Sequence, residues 1–407
     1  MKDIHGLGLS TTSAAAEEAF NRSLRAYLGY RADLSSQVKA VLEADPEFAL
    51  GQCFMGYLMM LTYNRGHAAL AANAHRDAAA HASRATAREQ GHVRALGRWA
   101  AGDLDGALAE WEAILAAHPT DALALRLAHF NYFWLGRVTD MRASVERVMP
   151  HWSEALAAYP TLLSCLAFGL EECGEYGAAE RAGRRAVGLD PADVWGTHAV
   201  AHVMEMQDRR EEGIAWLAGL EPNWAGKSNL VHHLWWHRAL FHLGRGEHDA
   251  VLDLYDRRFR NLSSPLTAAM PDLYIDVQNA ASMLFRLERR GVEVGGRWNE
   301  LADKAEKRIG DCLSTFTLPH WMMALAATER HGAAQAMLKA MRENANPVVR
   351  EVALPVCEAV LAHRRGAHAK AVELLTPVMG RLQDLGGSHA QRGVLHELLA
   401  EAKARAA

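Results

Sequence analysis

The chain has 407 residues, half of which are hydrophobic, and only 12 prolines. This composition is typical of an ordered globular protein with a large core and excludes a disordered polymer. The net charge is -4, and the 44 basic and 48 acidic residues are mixed along the whole length. We therefore expect no nucleic-acid partner and no anionic membrane partner.

Cysteine usage and the amino terminus indicate the compartment. The five cysteines include no CxxC pair, which favours reduced core thiols over a disulfide framework. The first residues lack the apolar stretch of a signal peptide, and no later segment reaches the roughly 18 apolar residues of a membrane span. These features predict a cytoplasmic protein.

Apolar residues recur at helical spacing nearly everywhere, and alternating strand-like stretches are absent, so the sequence predicts an all-α fold. Turn signals separate helices of about 12 to 16 residues. These signals are Pro119-Thr120-Asp121, Leu135-Gly136-Arg137, Tyr159-Pro160, Cys173 to Tyr176, Asp190 to Asp193 and Leu243 to Glu247.

The clearest internal repeat runs from Tyr159 to Pro191. It has the length of about 34 residues, the central glycine turn and the small residues of a tetratricopeptide-type helix pair. Similar spacing elsewhere predicts a right-handed superhelical α-solenoid of roughly nine to eleven such pairs. We expect one continuous domain over residues 1–407, with a soft division near residues 263–271.

Several strings, in order along the chain, resemble the tetratricopeptide repeat protein 38 family. They are STTS from Ser10, REQGH from Arg88, HPTDALAL from His118, YFWLG from Tyr132, THAVAHVMEM from Thr197, WHRAL from Trp236, SMLFRL from Ser282, GVEVG from Gly291, Arg297-Trp298 and GGSHAQR from Gly386. The chain departs from the family at Leu318-Pro319, where Asn-Asp is usual, and at His389, where Asn is usual. The resemblance implies a helical-repeat architecture and no particular reaction.

Two histidine-rich helical segments form the candidate site. His198, His202 and Glu205 fall at i, i+4 and i+7, so they share one helix stripe. His233 and His237 repeat the four-residue spacing on a later helix. Neighbouring repeats place equivalent surfaces about 10 Å apart, so we expect the two stripes to share one pocket. This pocket would also be reached by His129 and lined by Trp195 and Trp236.

Paired imidazoles are a competent half-site for Zn²⁺ or Fe²⁺, and the metal ligands would be His198, His202, His233 and His237. A carboxylate from Glu205 or Asp276 would complete a set with an open position for water. HxxxH lacks the glutamate of HExxH, so it does not identify a zinc protease. In one alternative the histidines act without a metal as general bases oriented by a carboxylate. In another they only pack beside tryptophans.

Further polar residues of the carboxyl-terminal half are candidates for ligand binding: Asp276, Asn279, His320 and Arg392. Arg392 would anchor a carboxylate or phosphate, or would instead close the last helix onto the array through a salt bridge.

Two classes of function follow. The first is a helical-repeat binding protein, with its concave face forming a His/Trp-lined pocket or groove for a small ligand or a protein segment. The second is a metal-dependent or histidine-based hydrolase with His198, His202, Glu205 and His237 as catalytic residues. Self-association as a homo-oligomer is compatible with either class.

Overall fold

The computed structural model describes residues 1–406 and contains 22 α-helices in that range, with no β-strand. The first eleven helices are α1 (Ala14–Leu28), α2 (Leu34–Ala44), α3 (Ala49–Met60), α4 (Arg65–Ala80), α5 (Ala87–Ala100), α6 (Leu104–Ala117), α7 (Ala122–Trp134), α8 (Val138–Val148), α9 (Tyr159–Glu172), α10 (Tyr176–Leu189) and α11 (Val194–Met206). The others are α12 (Arg210–Leu220), α13 (Leu230–Gly244), α14 (His248–Leu254), α15 (Pro265–Ala269), α16 (Tyr274–Glu288), α17 (Arg297–Lys307), α18 (Thr317–Ala327), α19 (His331–Arg342), α20 (Leu354–Arg364), α21 (His368–Leu375) and α22 (His389–Ala406).

Short segments of other helix types lie between some α-helices. The 3₁₀ segments are Ala82–Arg84, Met149–His151, Glu221–Trp224 and Thr376–Leu385, and the π segments are Tyr255–Phe259 and Val349–Ala353. None of the helices in the described range is long and apolar enough to cross a membrane.

The all-α helical-repeat class predicted from the sequence is confirmed. The predicted repeat at residues 159–191 is the helix pair α9 and α10, which pack on each other. Gly174 makes the turn between them with a φ of +80°, a left-handed conformation that glycine adopts without steric cost.

Local sequence signals begin several helices. Ser13, Asn64 and Asp103 each accept a hydrogen bond from a backbone N–H in the first turn of the following helix. At α5, Thr86 and Glu89 form a reciprocal capping box. Such caps satisfy amide groups that have no partner within the helix, and each contributes about 1 kcal/mol.

The chain divides into two compact units. The first unit contains residues 1–133, 137–203 and 216–231, and the second contains residues 134–136, 204–215 and 232–407. Four of the five changes of unit occur inside a helix, namely α7, α11, α12 or α13, and the fifth lies in the turn between α7 and α8. Residues 263–271 belong to the second unit and include α15, and both the single continuous domain and the soft division stay predictions.

In the first unit, consecutive helices pack as pairs: α1 with α2, α3 with α4, α5 with α6, and α9 with α10. Large aromatic side chains fill the space within the pair of α5 and α6 and between this pair and α3. The rings of Trp99 and Trp111 meet edge to face at 5.4 Å, and Tyr57 donates a hydrogen bond to the His92 carbonyl oxygen. This core supports α7, α9 and the start of α11, which carry the candidate site of this unit.

In the second unit, α16 packs on α18, which packs on α17 and α20, and α21 contacts α20 and α22. Phe241 and Phe316 are fully buried in this unit. Gly213 on α12 lies against Phe241 so closely that a Cβ atom there would be 2.4 Å from the ring. This packing supports α13 and α16, which carry the other candidate residues.

Candidate functional site

The first unit contains an imidazole pair on α11. His198 and His202 lie one helical turn apart, with ring centroids at 4.3 Å and their Nε2 atoms at 2.9 Å. Trp195 stacks on His198 with centroids at 4.7 Å. Both imidazoles are buried. The i, i+4 spacing therefore produces the predicted neighbouring rings.

Helix α9 supplies the surroundings of this pair. Phe168 lies within 5.3 Å of both imidazole rings, and a Glu171 carboxylate oxygen is 3.7 Å from Nδ1 of His202. The carboxylate therefore lies on the Nδ1 side of the His202 ring. Sequence reasoning did not single out Glu171. A signal for a polar site residue was present, because Glu171 follows Phe168 by about one turn in a largely apolar helix.

His129 on α7 is near the same cluster. Its ring lies 6.1 Å from Phe168 and 6.0 Å from Trp195. Burial lowers the pKa of His129 well below its ordinary value, and the adjacent Arg126 lowers it further. The imidazole is therefore neutral at physiological pH.

The second unit contains a matching pair on α13. The rings of His233 and His237 meet edge to face at 4.7 Å, and Trp236 stacks on His233 at 5.0 Å. Nδ1 of His233 is 2.8 Å from Oδ1 of Asn279 on α16. Because an amide oxygen only accepts, this contact assigns the proton to Nδ1 and the lone pair to Nε2.

Burial lowers the pKa of His233 to about 4, against the opposing effects of Asn279 and Asp276. This imidazole is therefore neutral near pH 7, which is the form that binds a metal ion or accepts a hydrogen bond.

Asp276 lies beside a histidine that sequence reasoning missed. Nδ1 of His232 is 3.0 Å from Oδ2 of Asp276, and both side chains are buried. The two consecutive histidines of the VHHLWWH string were a signal for a second polar face on α13. Asp276, which was predicted to orient a histidine of the candidate site, contacts His232 in this unit.

Glu205 belongs to a charged group of the second unit. Burial raises the pKa of Glu205 to about 7, while Arg286 and Arg210 act to lower it. Arg286 donates a 2.8 Å hydrogen bond to Glu397. Arg286 was not singled out in the sequence, although it is a lone cation in the apolar string SMLFRL.

The other two ligand-binding candidates contact backbone carbonyls. His320 on α18 donates from Nδ1 to the Phe316 oxygen at 2.8 Å, and burial lowers its pKa to about 4. Arg392 on α22 donates to the Gly387 oxygen. Their contacts with a ligand stay predictions.

Within each unit the structure brings part of the predicted set together. The first unit brings together His129, Trp195, His198 and His202. The second brings together His233, Trp236, His237 and Asn279, with Asp276 held by His232.

No family model matches the chain. Among solved structures the chain is similar to the TPR domain of P58(IPK), with 13% sequence identity and a TM-score of 0.21 over 97% of this chain and 98% of that chain.

Proposed function

We propose that the protein is a helical-repeat binding protein that takes up a small ligand at its histidine and tryptophan clusters. The observation that carries the proposal is the repeated arrangement on α11 and α13. In each helix two imidazoles meet edge to face, and an indole stacks on one of them. Membership of the tetratricopeptide repeat protein 38 family, the cytoplasmic location and homo-oligomer formation stay predictions.

Energetic reasoning supports a binding role for these clusters. Moving an imidazole from water into an apolar core costs desolvation free energy. Leucine or alanine would meet the packing needs of α11 and α13 without this cost. The burial of several imidazoles on these two helices therefore favours a role beyond packing.

A divalent metal ion is the first ligand to test. Zinc bonds of about 2.0 to 2.1 Å place two nitrogen ligands roughly 3.3 Å apart in a tetrahedral site. The Nε2 atoms of His198 and His202 are 2.9 Å apart, so a small ring rotation would accommodate an ion. Glu171 beside His202 and Asn279 beside His233 occupy the outer positions that orient metal-bound imidazoles.

The test is elemental analysis of protein purified without added metal or chelator. The variant carries His202→Ala and His237→Ala, and the matched control carries His151→Ala and His331→Ala, which remove two exposed histidines. We expect stoichiometric zinc, iron or manganese in the wild type and the control, and loss of metal in the variant.

Circular dichroism must show unchanged helical content in all three proteins. Metal retained equally by the variant and the control would contradict the assignment of the imidazoles. If the wild type contains no metal, metal binding is excluded, and an organic ligand is the next occupant to test.

Hydrolysis is the second candidate function, and Glu205 is the observation that favours it. A carboxyl with a pKa of about 7 exchanges its proton near neutral pH, as a general acid or base must. The test is a panel of activated esters and phosphoesters assayed with wild type and Glu205→Gln. An enzyme would show a pH profile with a transition near 7 that the variant lacks, whereas equal rates in both proteins would exclude this role.

A further inference from the structure

Arg126 on α7 is a buried cation without a counter-ion. The residue is 2% exposed, and among residues 1–406 its only hydrogen-bond acceptor is the Cys165 sulfur at 3.9 Å. The guanidinium otherwise faces aromatic rings, at 4.4 Å from the Trp195 centroid and 5.2 Å from that of Tyr30. Cation–π contacts contribute about 0.5 to 2 kcal/mol each, and they offset part of the several kcal/mol that burying a charge costs.

Other polar atoms around Arg126 also lack partners within the described residues. Both ring nitrogens of His129, Nε1 of Trp195 and the hydroxyl of Tyr30 are buried and make no hydrogen bond. Their rings are neighbours: Trp195 is 6.0 Å from His129 and 5.9 Å from Tyr30. Indole can only donate, and the guanidinium can only donate. The cluster thus combines surplus hydrogen-bond donors with one positive charge.

The backbone at Tyr30 holds its ring in this cluster. Its φ is +52°, a left-handed conformation that is costly for a bulky residue. The Tyr30 carbonyl accepts a 2.6 Å hydrogen bond from the Ser228 amide, and the Tyr30 amide donates to the Tyr27 oxygen at 3.2 Å. A conformation of this kind persists only where the surrounding structure maintains it.

We propose that Arg126, His129, Tyr30 and Trp195 form a binding site for a small monocarboxylate with an apolar or aromatic body. The fork of the guanidinium matches the two oxygens of a carboxylate. Trp195, Phe168 and Tyr30 supply apolar walls for the rest of the molecule. This inference rests on the proposed function, because it assigns a chemical class to the ligand of the cluster on α11.

The charge balance favours a carboxylate over a phosphate. His129 is neutral at physiological pH because burial and Arg126 lower its pKa, so Arg126 is the fixed positive charge of the cluster. One positive charge balances a carboxylate, whereas phosphate carries about -1.5 to -2 near pH 7. The nearly complete burial of Arg126 and His129 favours a small molecule over an extended peptide.

The experiment is calorimetric titration of the full-length protein with benzoate, phenylacetate, indole-3-acetate and octanoate. The corresponding amides and inorganic phosphate serve as comparison ligands. We expect at least one carboxylate to bind while its amide and phosphate do not. Arg126→Gln should weaken binding roughly 10- to 100-fold, the range of a lost charged hydrogen bond, and Tyr30→Phe up to about tenfold.

Arg184→Gln is the matched control. Arg184 also lies over an indole, at 4.8 Å from the Trp216 centroid, but its side chain is 41% exposed and paired with Glu180. Carboxylate binding should be unchanged in this variant. The proposal is overturned if no carboxylate binds, if acid and amide bind equally, or if Arg126→Gln binds as the wild type does.

A second variant distinguishes a ligand-binding role of Arg126 from a purely structural role. Replacing an uncompensated buried charge by an apolar side chain of similar volume is often neutral or stabilising. Arg126→Met should therefore keep or raise the Tm of the ligand-free protein while losing carboxylate binding. A lower Tm with unchanged binding would show that Arg126 serves the fold alone.

The two proposals fail in different ways. Loss of metal in the His202→Ala, His237→Ala variant without any carboxylate binding would overturn this inference and leave the metal assignment standing. If carboxylate binding depends on Arg126 and the purified protein contains no metal, the inference is supported and a metal ion is excluded as the ligand.

Discussion

Asp121 joins the start of α7 to a buried charge network, and its replacement should destabilise the protein. Its Oδ2 accepts hydrogen bonds from Arg88 at 2.8 Å and His92 at 3.2 Å, and its Oδ1 caps the Ala124 amide at 2.9 Å. Burial alone would raise the pKa of Asp121, but His92 and Arg88 together hold it well below its ordinary range. The carboxylate is therefore charged in the folded protein.

Asp121→Asn keeps an acceptor for the helix cap but removes the negative charge. Breaking a buried ion pair by removing one partner costs about 3 to 5 kcal/mol. Asp3 remains 3.4 Å from Arg88 as a partial counter-ion, so we expect a loss of about 3 kcal/mol, at the lower end of this range. Because α7 carries Arg126 and His129, ligand binding should weaken as well.

The assay is chemical denaturation followed by circular dichroism. Asp103→Asn is the matched control, since Asp103 also caps a helix, α6, but its side chain is 47% exposed and pairs with Arg98. Asparagine caps helices well and exposed ion pairs contribute about 0 to 1 kcal/mol, so this control should change stability little. A loss below about 1 kcal/mol for Asp121→Asn would refute the reasoning.

The remaining predictions concern pH dependence and packing. The pKa of His320 is about 4 in the folded protein against an ordinary value of 6.5, so the unfolded chain binds more protons between these values. Stability should fall by up to about 3 kcal/mol as the pH drops from 6.5 towards 4, and His320→Asn should reduce this slope in denaturation curves. Glu205 has the opposite sign, since its folded pKa of about 7 exceeds the ordinary 4.5. Glu205→Gln should therefore be about 1 to 3 kcal/mol more stable than wild type at pH 8, and equal stabilities there would contradict the raised pKa. Gly213→Ala should lose about 1 to 3 kcal/mol because its Cβ would lie 2.4 Å from Phe241, whereas Gly188→Ala, with no neighbour within 4 Å, should gain up to about 1 kcal/mol in thermal unfolding. A similar shift for the two alanine variants would show that helix propensity, not packing, controls both positions.

Part of the candidate site could be predicted because it depends on one helix alone. Residues four apart project from the same side of an α-helix, so the ring contacts within the pairs on α11 and α13 follow from the spacing of the histidines. The stacking of Trp195 on His198 follows from the same periodicity.

The groups that face Nδ1 of His202 and Nδ1 of His233 could not be predicted, because they come from other helices. Glu171 on α9 faces His202, and Asn279 on α16 faces His233. Asn279 was singled out in the sequence, but no local rule states which imidazole it meets. The position of a side chain on a distant helix depends on how the helices pack.

Arg126 shows what sequence reasoning missed. The string ALALRLAHF places one arginine and one histidine, three residues apart, in an otherwise apolar helix. Such a pattern predicts either a solvated edge or a buried polar pair, and hydrophobicity cannot distinguish them. The aromatic rings of Tyr30 and Trp195, which come from distant parts of the chain, decide that the arginine is buried.

The sequence by itself determined the all-α class, the turns and the faces of individual helices, because periodicity, caps and glycine turns act over a few residues. The tertiary structure alone decided which polar groups are buried together and which have partners. Burial sets the desolvation that lowers the pKa of His233 and raises that of Glu205, and burial depends on the packing of helices distant in the chain.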